Sequence, residues 1–199
     1  MKKKIIVTAF SNLTTDQRIE KVCKTLHDNG YVIELIGCNY GCNQEVKREY
    51  TVEKINLISK SLKTAYFEFN WKLYQKLLNK SFENTVLLTN DLDTLLPNFL
   101  LSKKKKIPLV FDSHEIFTEM PAIQGKISQK IWRFAENKML PHIEFMMTES
   151  ESYAKWFHEK YNVTPVVVRN IPKKLPLQEK TLTQNPKIIL YQGAINPSR

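Results

Sequence analysis

Residues 109–121, LVFDSHEIFTEMP, begin as an apolar run that stops at Asp112 and resumes at Ile116, with His114 and Glu115 in between. Helix capping accounts for the two carboxylates, because a side-chain oxygen at the first position and an acidic residue three places on satisfy free backbone N–H groups. A cap has no use for an imidazole. A histidine at a helix N-terminus between two carboxylates feels opposed pressures on its proton, an arrangement suited to holding a ligand or handling charge. His114 is therefore the first candidate for ligand contact.

Similar polar clusters follow other apolar runs. SNLTTDQR supplies Asn12, Thr14, Asp16 and Arg18; TNDLD supplies Asn90 and Asp91; TESE supplies Thr148 and Glu149; RN supplies Arg169 and Asn170. Taken singly, most of these also fit capping. Thr14 with Gln17, Asp112 with Glu115, and Thr148 with Glu151 have capping-box spacing, while Asp91 and Asp93 suit the positive end of a helix dipole.

The apolar runs decide where these clusters sit. Strands are expected at 5–10, 31–37, 50–57, 85–91, 107–112, 143–150 and 164–170, alternating with helical periodicity at 14–30, 62–82, 92–104, 126–140 and 152–161. Gly30 follows the first helix where a left-handed residue is needed. This alternation predicts an α/β fold: a Rossmann-like, doubly wound, mostly parallel sheet with helices on both faces. In such a sheet all the polar clusters share the carboxyl edge, where ligands bind.

In the helix at 62–82, Leu62, Tyr66, Phe69, Leu73 and Leu77 form one stripe and Phe67, Trp71, Tyr74 and Leu78 an adjacent one. That face is either core or, rimmed by Lys63, Lys72, Lys76 and Lys80, a surface for an anionic membrane or an acceptor cleft.

The formal charge of +10 favours an anionic partner. Its densest element, KKKK at 103–106, is expected to be a solvated loop. Nucleic acid is not expected, because there is no arginine-rich stripe, zinc-finger spacing or RNP-like motif. Three cysteines, Cys23, Cys38 and Cys42, suit a reducing cytoplasm, and no second ligand pair accompanies the Cys38/Cys42 spacing, so no metal site is expected. No apolar run is long enough to span a bilayer. The chain is expected to be cytoplasmic, with peripheral contact at the inner face of an anionic membrane.

After Arg169 the texture changes. Residues 1–170 read as one Rossmann-like domain, 171–186 as a proline- and lysine-bearing linker, and 187–199, KIILYQGAINPSR, as the first strand and loop of another domain.

With DQRIEKVCKTLHDNGYVIELIG, TNDLDTLLP, VFDSHEIF, the W…AEN helix, TESE and VVVRNIP in this order, the chain resembles the N-terminal half of a family 4 glycosyltransferase of the GT-B fold. The resemblance implies an acceptor-side domain facing a donor-binding domain, with a nucleotide-diphosphate sugar in the cleft. It also implies transfer with retention to a glycan or lipid-linked acceptor in cell-envelope polysaccharide synthesis, without an obligatory metal or other cofactor. His114 matches the family histidine near the transferred sugar, and Arg199 a basic position near the donor diphosphate. Two departures accompany it: the loop after the first strand, FSNLTTD, lacks the glycines of many members, and the paired glutamates of the second domain do not occur in the 199 residues. The fragment is therefore expected to be inactive alone. Two other readings stand beside it: a binding subunit that needs a separate donor-binding chain, and an unrelated doubly wound regulatory domain. The last lacks a phosphate loop or a G-x-G-x-x-G fingerprint.

Overall fold

A computed structural model describes residues 2–40 and 44–171; the expected linker beyond Ile171, the expected start of a second domain with Arg199, and Cys42 lie outside the described residues. Seven strands form one wholly parallel sheet: β1 (Lys4–Asn12), β2 (Val32–Cys38), β3 (Thr51–Ile55), β4 (Thr85–Asn90), β5 (Leu109–Ser113), β6 (Phe145–Thr148) and β7 (Val166–Val167). Five helices connect them: α1 (Gln17–Asp28), α2 (Leu62–Leu78), α3 (Leu92–Lys105), α4 (Ile127–Met139) and α5 (Glu151–Tyr161).

The sheet order is β3-β2-β1-β4-β5-β6-β7. The chain starts in the middle, runs to one edge, returns beside β1 and runs to the other. Right-handed crossovers put connections of opposite direction on opposite faces. The two cores follow this rule. Ile19 and Cys23 of α1 pack with Ile5, Val7, Ile33 and Leu35 on one face. Phe69, Leu95, Met139 and Phe157, from α2, α3, α4 and α5, pack with Ile6, Leu87 and Phe111 on the other. The expected doubly wound fold is present, with helical cover concentrated on one face. The strand order reverses between β1 and β4, which makes their carboxyl ends the place for a ligand.

Several local expectations change. Asp16, not Thr14, caps α1, its carboxylate accepting from the N–H groups of Arg18 and Ile19. Thr14 instead donates to Asn12 Oδ1, a local turn that delays the helix. Ser150, not Thr148, caps α5, because Thr148 is still in β6 and its hydroxyl donates to the Ser113 carbonyl. Lys103–Lys105 form the last turn of α3 and Lys106 is its left-handed cap, so this run is helical rather than loop, and its charges oppose the negative end of the dipole. Gly30 has φ +87°, as its position required. Gly37 in β2 serves closeness instead: a Cβ there would sit 2.6 Å from the Leu13 side chain.

Pro97 lies inside α3. It lacks the N–H that would bond the carbonyl four residues back, that of Asp93. Asn70 of α2 fills the gap, donating its side-chain amide to Asp93 O at 2.7 Å. Beneath it, Asn98 donates to Thr8 Oγ1 at 2.8 Å and Thr94 to Asn90 O at 2.7 Å, tying α3 to β1 and β4 at the switch point.

Candidate functional site at the carboxyl edge

Asp91 turns the chain from β4 into α3 with φ 60° and ψ 166°, a conformation normally left to glycine. Three contacts hold it there. Its N–H donates to Asp112 O at 2.8 Å, its Oδ1 accepts from the His114 N–H at 3.1 Å, and its Oδ2 lies 3.5 Å from the Arg18 guanidinium. The side chain does not cap α3; it reaches across the strand ends instead.

No α-helix begins at Asp112, contrary to the capping-box expectation. The chain leaves β5 as a loop containing one 3-10 turn, Phe117–Glu119, and Met120 is extended ahead of Pro121, as a residue before proline prefers. The Asp112 carboxylate pairs with the His114 ring instead of a backbone N–H: Nε2 and Oδ2 are 3.0 Å apart, and both residues are buried. A carboxylate only accepts, so Nε2 carries a proton and Nδ1 is the nitrogen that titrates. Nδ1 is buried with no hydrogen-bond partner among the described residues. Burial presses the His114 pKa down, but the hydrogen bond and charge of Asp112, with help from Asp91, outweigh burial and the Arg18 charge and raise it above its ordinary value.

These groups open on a cleft of about 410 Å³. Arg18, Asp112, His114, Arg169 and Asn170 line it, and Leu88, Val110 and Met147 form an apolar floor between them and α1. Five of the residues expected from sequence therefore converge, and Asp91 bridges two of them from behind. Lys21, which also lines the cleft and donates to Asn170 Oδ1 at 3.1 Å, was missed, although its spacing of three from Arg18 on a helix would have found it.

The other candidates have different places. Asn12 holds its own turn, Asp16 caps α1 while lying 3.8 Å from Arg18 Nε, and Asn90 is buried, donating to Thr8 O at 3.1 Å. Thr148 bonds Ser113 within the sheet, and Glu149 follows β6 half-buried. Glu115, also half-buried, contributes its carbonyl to the Ser113 hydroxyl.

Beside the switch point lies an aromatic group: Tyr66 sits 4.6 Å from Phe10 and 5.6 Å from Trp132 by ring centroids, and Phe117 is 5.1 Å from Trp132. The buried Asp93 has one carboxylate oxygen without a partner among the described residues. Burial and the neighbouring Asp91 charge push its pKa well above the carboxylate range, against the pull of Arg18. Among the described residues, one group with metal-like spacing exists, His27, Asp28 and Glu49. Its two carboxylates already pair with Lys24 on the exposed side of α1.

Fold and site together give a Rossmann-like, doubly wound α/β domain with a mainly apolar groove along α1, lined also by Arg18, His114 and Arg169. No protein-family model and no curated protein matches the sequence. Solved structures do match. Sucrose-phosphate synthase from Thermosynechococcus elongatus superposes with a TM-score of 0.62 at 10% identity, over 82% of this chain and 47% of that one. Apo UGT2 of Phytolacca americana gives 0.62 at 10% identity, over 85% and 52%. LpCGTa, solved in complex with UDP, gives 0.58 at 8% identity, over 89% and 55%. The chain spans about half the length of each of these structures. At such identities the likeness is one of fold, and these neighbours are GT-B glycosyltransferases.

Proposed function

We propose that the chain is the acceptor-side domain of a retaining glycosyltransferase of family 4 type, which moves a sugar from a nucleotide-diphosphate sugar to a glycan or lipid-linked acceptor. The observation that carries this reading is the convergence of His114, Asp112, Arg18 and Arg169 on one cleft at the switch point, in a fold shared with glycosyltransferases.

The chemistry follows from the geometry. Asp112 holds the His114 ring by Nε2 and leaves Nδ1 as the ring nitrogen without a partner among the described residues, the atom this reading assigns to the ligand. Neutral, Nδ1 accepts from a sugar hydroxyl; protonated, it donates to a departing phosphate and offsets the charge that develops as the glycosidic bond breaks. The Arg18 and Arg169 guanidiniums suit phosphate oxygens. Asp91 fixes the His114 backbone, so the ring needs little reorganisation as the reaction proceeds. The donor's remaining contacts belong to a second domain, and the 199 residues alone should not turn over.

The test is transfer by the whole gene product, assayed with a panel of nucleotide-diphosphate sugars and glycan or lipid acceptors, wild type against His114→Gln. Glutamine keeps a donor for Asp112, whereas alanine would leave that buried carboxylate unpaired. A fall in kcat/KM of about 10²–10³-fold is expected, with the melting temperature held. No transfer with any donor, or equal rates, overturns the proposal.

A further inference from the structure

The loop between β5 and α4 is held by one face of the helix it leads into. Gln129, Trp132 and Glu136 lie at i, i+3 and i+7, so they share a face of α4, and Gln129 and Glu136 are buried. The Gln129 side-chain amide donates to Thr118 O at 2.7 Å, and its oxygen accepts from the Gly125 N–H at 2.9 Å. Glu136 Oε2 accepts from the Thr118 hydroxyl at 2.8 Å and from the Tyr161 hydroxyl of α5 at 2.6 Å, with Lys160 Nζ 3.7 Å away. Thr118, fully buried, is therefore held through both its side chain and its carbonyl. Trp132, between these two polar grips in sequence, packs against Phe117 at 5.1 Å and Tyr66 at 5.6 Å between ring centroids.

Stability alone does not call for Glu136. A buried acid costs desolvation, and apolar residues of similar volume often serve a core as well or better. What a fully bonded buried group adds is a unique arrangement. Here the arrangement fixed is that of Phe117, the residue before Thr118, which completes the aromatic group of Tyr66, Trp132 and Phe10. His114 opens the same loop but has anchors of its own: Asp91 takes its N–H and Asp112 its ring. The loop is thus fixed in two independent places.

We infer that Glu136 is a positioning residue, which through Thr118 sets Phe117 against Trp132 and Tyr66 and so shapes an aromatic wall for the sugar ring of the acceptor. The negative face of an aromatic ring suits the C–H face of a pyranose. Tyr66, Trp132 and Phe10 are only partly buried, which leaves ring surface open beside the switch point. Glu136 touches no reacting atom; it acts through the loop. The acceptor's place on this wall rests on the transfer reading, whereas the setting of Phe117 does not.

The experiment compares wild type with Thr118→Val, which replaces only the hydroxyl, with Thr118→Ser, which keeps it, and with Glu136→Met. In NMR of the 199-residue chain, the valine and methionine variants should lose the Phe117–Trp132 ring cross-peaks while the His114 midpoint stays in place. The serine variant should match wild type, and Thr118→Val should change nothing further in a Glu136→Met background. In the whole gene product the valine and methionine variants should raise KM for the acceptor by about tenfold with kcat unchanged, and serine should restore it. Intact ring contacts in Thr118→Val, a shifted His114 midpoint, or a fall in kcat at unchanged KM would overturn the inference. If Glu136→Met does not fold, the valine and serine pair decides alone. A wild type that transfers no sugar overturns the transfer reading and the acceptor's place with it, and the ring contacts then decide the positioning role.

Discussion

The backbone N–H of His114 donates to Oδ1 of Asp91 at 3.1 Å, so the residue after β5 is anchored by the residue after β4. The reverse contact runs two residues earlier, where the Asp91 N–H donates to Asp112 O. Two strand ends are thereby locked, and Asp91 is held at φ 60° against its own preference.

That lock predicts a difference between two substitutions. Asp91→Ala loses the acceptor for the His114 N–H and keeps the unfavourable backbone, and should destabilise by about 1–3 kcal/mol. Asp91→Gly loses the same bond but relieves the strain, and should be more stable than the alanine variant by about 1–2 kcal/mol. Urea unfolding of both variants checks this; an alanine variant as stable as the glycine one would mean the backbone stores no strain.

The His114 pair predicts a titration. Asp112→Asn removes the charge that outweighs burial, so the His114 midpoint, raised in the folded chain, should move down, as read by NMR of the imidazole. Stability follows with a definite sign. Since the folded value lies above the unfolded value of 6.5, the pair's contribution is complete below that pH and is lost as pH rises through the folded value. Wild type should lose stability relative to His114→Gln over that window. A difference between the two that stays flat with pH would show that His114 does not gain a proton on folding.

Asn70 and Pro97 predict a coupled pair. Asn70→Ala leaves the Asp93 carbonyl without its donor and should cost about 1–2 kcal/mol. Pro97→Ala restores a helical N–H to that carbonyl, so the same Asn70 change should cost much less in a Pro97→Ala background. A double-mutant cycle measures the coupling. Additive costs would mean that the amide bond to Asp93 O adds nothing to stability.

Order and alternation of elements were legible in the sequence because each strand and helix carries its own periodicity, and a right-handed chain of such units has few ways to fold. The carboxyl-edge position of Arg18, Asp91, His114 and Arg169 followed from that alone. His114 stood out because capping could not explain it. What surrounds it could not be read from one dimension. Asp112 has capping spacing with Glu115, yet its carboxylate serves the imidazole, because β4 and β5 pair in a register that puts Asn90 opposite Asp112. Likewise the two stripes of the aromatic helix carry similar apolar content, and only packing against the sheet buried Phe69 and left Phe67 and Trp71 outside. Of its four rim lysines, Lys72, Lys76 and Lys80 found Glu68, Glu53 and Glu34, the last two on β3 and β2, which no helical pattern could foretell. Sequence determines which residues a local element presents; which of them meet depends on strand register and helix docking, set by distant parts of the chain burying their apolar faces together.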